Sequence, residues 1–168
     1  MFRSKDFILM DVVDIKGKKQ GFVKDVLVNL HKSQVEGFLI SSTKLLKRKL
    51  NVKLKQIISF NKNMIIEKTE DGKFLLLSSL ENIDVLDIYG NVLGIVEDII
   101  FDEESFKING VIVSTGFIRN FINGKKILLP KDLLFGDESV LYLGVNNEID
   151  LKSVPHKLFM EVDCHEKN

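Results

Sequence analysis

Hydrophobic residues in this chain come in short alternating runs broken by glycines and acidic residues, and the breaks recur. From Asp11 to Ser41 the sequence reads DVVDIKGKKQGFVKDVLVNLHKSQVEGFLIS, and from Asp84 to Ser114 it reads DVLDIYGNVLGIVEDIIFDEESFKINGVIVS. The two segments align without a gap at a constant separation of 73 residues. Asp14 falls with Asp87, Gly17 with Gly90, Gly21 with Gly94, Asp25 with Asp98 and Gly37 with Gly110. Asp-x-x-Gly with a second Gly four residues later predicts a tight turn between two strands, because glycine takes the positive φ that such turns need. A second break, at 29–33 and again at 102–105, precedes runs rich in β-branched residues at 35–40 and 108–113. Each copy is therefore predicted to open as a β-meander.

The order apolar-Val-x-Asp-x-x-Gly-x-x-x-Gly-x-Val-x-Asp-apolar-apolar, then a turn, then Gly-apolar-apolar-apolar, resembles the PRC-barrel family. That family is named for a domain of the photosynthetic reaction centre H subunit. The domain also occurs in the ribosome maturation factor RimM and in small bacterial proteins of one or two copies. The resemblance covers both halves of the chain and rests on turn glycines and core positions, with no catalytic residue among them. It implies an all-β fold of two tandem small, strongly bent β-barrels with a short C-terminal extension, used as a binding or assembly module.

Past the meander the alignment shifts to 75 residues, pairing Leu54 with Leu129, Ile58 with Leu133, Phe60 with Phe135 and Ile65 with Val140. The second copy is thus expected to carry two more residues in the preceding loop, where insertions are tolerated. After Pro130, residues 131–134 predict a single helical turn that closes the barrel. Residues 64–68 and 73–77 flank Thr69-Glu70-Asp71-Gly72, a predicted Asp-Gly hairpin. Its counterpart pairs Phe74 with Ile149 and Leu76 with Leu151. The expected division is repeat 1 over 1–77, repeat 2 over 78–152, and a tail or extra strand over 153–168.

Composition sets outer limits. The chain has 168 residues, 45% hydrophobic and 29% charged, the ordinary make-up of a globular protein. A unit of roughly 75 residues lies near the small end of what folds alone, burying only about 60% of its unfolded surface, so mutual support between the halves is expected. Twelve Phe and no Trp place the core on Phe, Leu, Ile and Val. The single cysteine, Cys164, excludes an intramolecular disulfide, and the first residues lack a signal-peptide pattern, so a reducing, cytoplasmic setting is expected. No apolar run approaches the ~20 residues of a membrane-spanning helix.

Charge bears on partners. Net charge is zero, yet residues 1–80 hold sixteen Lys and Arg against eight Asp and Glu, and residues 81–168 hold eight against sixteen. Opposite halves of this kind suit nucleic-acid or membrane-surface contact, and they also permit self-association. The basic candidates are Lys44, Lys47, Arg48, Lys49, Lys53 and Lys55, placed either to meet RNA phosphates or anionic lipid headgroups, or to form a solvated face. In the matching loop of the second copy, Phe117, Ile118, Phe121 and Ile122 lie between glycines. They are candidates for protein contact, with folding back over an open barrel end as the alternative.

Chemistry is sparse. One Cys beside one His in the tail falls short of a zinc set. The turn from Gly90 to Gly94 has no helix behind it to make a phosphate site. Asp14, Asp25, Asp87 and Asp98 are expected to bond neighbouring main chain. No catalytic residue, cofactor or metal is expected. The expected role is a non-enzymatic protein-protein adaptor, with an RNA-associated or ribosome-associated, RimM-like factor as the alternative.

Overall fold

The computed structural model describes residues 1–42, 50–116, 124–144 and 149–151. Its strands in the first repeat are β1 Phe2–Arg3, β2 Asp11–Asp14, β3 Lys19–Asn29, β4 Gln34–Ser42, β5 Leu50–Lys53, β6 Ile57–Phe60 and β7 Asn63–Ile66. The second has β8 Leu75–Leu76, β9 Asp84–Leu86, β10 Val92–Phe101, β11 Ile108–Ser114, β12 Lys125–Leu128, β13 Leu133–Phe135, β14 Ser139–Tyr142 and β15 Ile149–Leu151. Helical structure among the described residues is limited to single 3-10 turns such as Leu54–Gln56 and Pro130–Asp132. One sheet runs β5-β4-β3-β2-β7-β6 and the other β13-β14-β9-β10-β11-β12-β15, so the chain is all-β and built as two curled barrels.

The bends come from the repeated motif. Gly17 and Gly90 take φ of 74° and 83°, the left-handed conformation that closes the β2–β3 and β9–β10 turns. Asp14 accepts the amides of Lys16 and Lys18, and Asp87 those of Tyr89 and Asn91, as the sequence predicts. The ladder slips between Val23 and Asp25 and between Leu27 and Val28, and at the same places in the second copy, between Val96 and Asp98 and between Ile100 and Phe101. Paired bulges bend each long strand, so that one strand serves both sides of a small barrel.

The two copies exchange their first strands. β1 begins the first repeat but pairs with β10 of the second, Phe2 opposite Phe101 and Arg3 opposite Ile100. β8 begins the second repeat but pairs with β3 of the first, Leu75 opposite Val28 and Leu76 opposite Leu27. The same 73-residue separation relates the two pairings, so the barrels sit about a pseudo-twofold axis. On that axis Gln34 bridges its own counterpart Lys107, with Val35 N donating to Phe106 O at 2.9 Å and Ile108 N to Ser33 O at 2.7 Å.

Asp25 and Asp98 anchor the exchange. Each is buried and accepts the amide of the next residue, Val26 or Ile99. Asp98 also accepts from the backbone and hydroxyl of Ser4 and from Arg3 Nε, and Asp25 from the backbone and hydroxyl of Ser78. The expectation of local main-chain bonding holds for Asp14 and Asp87. For Asp25 and Asp98 it is incomplete, because each carboxylate receives the segment supplied by the other half.

The core is continuous across the axis but unequal on its two sides. On one side Phe7 is buried, with the rings of Phe38, Phe2, Phe60 and Phe101 at 4.8, 5.1, 5.3 and 5.7 Å. The related positions on the other side hold Leu80, Val111, Leu75, Phe135 and Val28. Smaller side chains leave a cavity there of about 10 Å³, room for about one water.

Five expectations about the second half of each repeat are corrected. Residues 64–68 and 73–77 do not form a hairpin, since β7 pairs with β2 and β6, and β8 with β3. Leu76 and Leu151 are not counterparts, because β15 pairs with β12. Phe60 and Phe135 do correspond, but Val140 matches Met64, not Ile65, since Val140 sits opposite Val85 and Met64 opposite Val12. Likewise Leu133 matches Ile57, and Ile58 is the extra residue of a bulge against β7. The helical turn is there but covers Pro130–Asp132 only, and Leu133 and Leu134 belong to β13.

Candidate protein-contact face

The outer surface of the second barrel carries an apolar row. Side chains alternate along β9 and β14, so that Val85, Val140 and Tyr142 turn inward and are buried, while Leu86 and Leu141 turn outward. Register then lines four strands up: Leu134 lies opposite Leu141, Leu141 opposite Leu86, and Leu86 opposite Val92. Leu134 is 59% exposed and Val92 62%. Ile88, Tyr89 and Leu143, just beyond the ends of β9 and β14, are exposed as well. Isolated exposed apolar residues are ordinary, but a contiguous set of them marks a contact surface.

The corresponding row of the first barrel is different. It reads Ser59 opposite Ile65, Ile65 opposite Val13, and Val13 opposite Lys19. Around it stand Lys16 where the second barrel has Tyr89, and Lys62 in the turn where the second barrel has Asp137 and Glu138. Ile15, in the turn after β2, and Ile58, the bulge residue of β6, are exposed as well. The two barrels thus share a scaffold and differ on this face, one apolar with an acidic rim, the other part apolar with a lysine rim.

Of the basic candidates, Lys53 is held by Glu70 at 2.8 Å and lies over the Phe74 ring at 5.2 Å. Its hydrogen bond to Glu70 raises the Lys53 pKa, and the same bond lowers that of Glu70. Lys55 is exposed. Lys44, Lys47, Arg48 and Lys49 lie outside the described residues, as do Phe117, Ile118, Phe121, Ile122 and the tail 153–168. Lys53 and the outer row are on different strands, and the structure does not bring the two candidate groups together among the described residues. Reading each copy alone misses the row, because its members come from four strands. A position-by-position comparison of the copies contains the signal, in Tyr89 against Lys16 and Val92 against Lys19.

Charge inside the molecule gathers where the exchanged segment meets the second barrel. Glu97 receives Lys5 at 3.1 Å and also Lys125, and Arg3 reaches both Glu97 and Asp98. Burial pushes the Glu97 carboxyl up, but hydrogen bonds from Lys125 and Lys5 outweigh it and the pKa falls. Glu81 goes the other way, raised by burial and then by the charges of Asp25 and Asp98. Among the described residues no group of His, Cys, Asp and Glu is arranged to hold a metal, and no helix is long and apolar enough to cross a membrane.

Comparison with known proteins agrees with this architecture. A family model for the PRC-barrel domain matches the chain twice, over residues 1–75 and 72–148. The two matches meet at the start of β8, where the exchanged strand of the second barrel begins. No curated protein matches the chain.

Proposed function

Because the chain belongs to the PRC-barrel family along both of its halves, we propose that it is a non-enzymatic assembly module that binds protein through the outer face of its second barrel. The observation that carries this reading is the row Leu134, Leu141, Leu86 and Val92, half-buried at its two middle positions and exposed at its ends, where the first barrel carries Ser59 and Lys19 in place of Leu134 and Val92. Folding does not require the apolar ends of that row, since the first barrel closes with Ser59 and Lys19 there. A binding role accounts for it, because covering apolar surface is favourable by about 25 cal/mol per Å².

The test replaces face residues with those that the first barrel already carries, Leu134→Ser together with Val92→Lys. The double variant is expected to keep the wild-type melting temperature. Captured on a column, it should lose the proteins retained by wild type at the same loading. An unchanged set of retained proteins, bound with unchanged affinity, refutes the reading. The parallel pair Phe117→Ser and Phe121→Ser distinguishes binding by that loop from binding by the sheet face.

A further inference from the structure

We infer that the partner of the second-barrel face is the first-barrel face of another copy of this chain, so that molecules join head to tail. This deepens the proposed assembly role and rests on it. The halves differ in charge by equal and opposite amounts, sixteen basic against eight acidic residues in 1–80 and the reverse in 81–168. Within one molecule that attraction is only partly used. Among the described residues, the ion pairs that join the halves are Met1 with Glu103, Arg3 with Asp98 and Glu97, and Lys5 with Glu97, all on the exchanged segment.

Lys16 and Lys62 on the first face, and Asp137 and Glu138 on the second, stand outside those pairs and form no ion pair among the described residues. These charges stand in turns that end the strands of each face, and the apolar side chains exposed there are Ile15 and Ile58 on the first face and Leu134 and Val92 on the second. Two acids of the first face are engaged, Asp11 by Lys19 at 2.7 Å and Asp14 by its own turn and Gln20, while Glu67, at the position of Leu143, is exposed.

Rim charge then decides which faces meet. Two second-barrel faces would bring Asp137 and Glu138 against their own copies, and two first-barrel faces would set lysine against lysine. Only the mixed pairing covers apolar surface and places opposite charges at its edge. Because the two faces lie on different barrels, the contact is heterologous, and it propagates unless a ring closes.

The experiment blocks each face in turn in the full chain. Leu134→Glu disables the second face and leaves the first live, while Lys16→Glu with Lys62→Glu does the converse. All three positions are exposed, and circular dichroism melts establish that each variant folds like wild type. In sedimentation velocity, wild type is expected to grow beyond a dimer as concentration rises, and more so at ~50 mM than at ~500 mM salt. Each variant alone should stay monomeric, and an equimolar mixture should stop at a one-to-one dimer. Wild type that stays monomeric at every concentration, a single variant that still grows, or a mixture that stays monomeric overturns the inference. If wild type stays monomeric yet Leu134→Ser with Val92→Lys still loses a retained protein, the assembly role survives and only this partner is wrong.

Discussion

Strand exchange makes a crossed prediction that two independent barrels would not. Ser4 lies in the first repeat but donates its amide and hydroxyl to Asp98 of the second, and Ser78 lies in the second but donates both to Asp25 of the first. Each carboxylate is buried, with Asp98 fully enclosed. Replacing the serine by alanine removes one hydrogen bond to a charged acceptor, which costs about 1.5–3 kcal/mol. Asp98 keeps Arg3 at 3.1 Å and Asp25 has no such cation among the described residues, so Ser78→Ala is expected at the upper end of that range and Ser4→Ala at the lower. For a chain of this length the melting temperature should fall by about 3–12 °C.

The location of the loss is the sharper readout. Hydrogen exchange should show Ser4→Ala opening β10 and the adjoining β11, and Ser78→Ala opening β3 and β4, each variant loosening the barrel it does not belong to in sequence. Loosening of β2–β4 by Ser4→Ala with β10 left protected would refute the exchange. So would two variants with unaltered melting and exchange.

Three further outcomes follow from the packing and the charges. Phe7→Ala empties the centre of four ring contacts and should cost about 4–5 kcal/mol, more than Leu80→Ala at the related position beside the cavity; denaturation should still show one transition, and two separated transitions would contradict the shared core. A Cβ on Gly21 would meet Ser41 O at 1.9 Å, whereas one on Gly17 meets nothing within 4 Å and suffers only from its φ of 74°, so Gly21→Ala should cost about 3 kcal/mol or more and Gly17→Ala about 1–2 kcal/mol in urea titration. Glu81 is raised by burial and by Asp25 and Asp98, so its penalty is absent at acid pH and grows as pH rises from the ordinary carboxylate range through its folded pKa; Glu81→Gln should therefore raise the melting temperature at pH 7 and have no effect near pH 3, and equal effects at both would mean no linkage and refute it.

Much of each barrel was legible because local chemistry dictates it. A turn at Gly17 needs left-handed backbone wherever the chain goes afterwards, and Val12 and Val85 fall inward by simple alternation. The exchange was not legible, since a two-residue strand such as Phe2–Arg3 has no periodicity and the edge it joins is more than ninety residues away in the chain. Asp71-Gly72 is a sound hairpin signal, but it lost to Leu75 and Leu76, which find the edge of β3. The misplaced match of Ile65 to Val140 has an equally plain cause. Met64, Ile65 and Ile66 are all apolar, so the sequence offers no alternation to fix which of them points inward, and a one-residue slip exchanges the faces. The outer row stayed hidden for the same reason as the exchange, since it exists only once four strands are in register.

Duplication supplies a control inside a single molecule. Both copies must close the same turns, bend the same strands and receive an exchanged segment, and at positions serving those ends they agree: Gly17 and Gly90, Gly21 and Gly94, Asp25 and Asp98. Where they disagree on the outer face, folding cannot be the reason, because each copy demonstrates that the barrel forms with the other choice. Lys19 against Val92 and Ser59 against Leu134 are such positions, and all four side chains point to solvent. At the differing positions the first barrel carries polar residues, Lys16, Lys19, Ser59 and Glu67, and the second carries Tyr89, Val92, Leu134 and Leu143. Drift on a solvated surface would scatter apolar residues singly, whereas here Leu134 and Val92 extend, at both ends, a pair that is apolar in each barrel. A surface that gains nothing in the fold from being apolar, and yet is, points to something outside the fold that covers it.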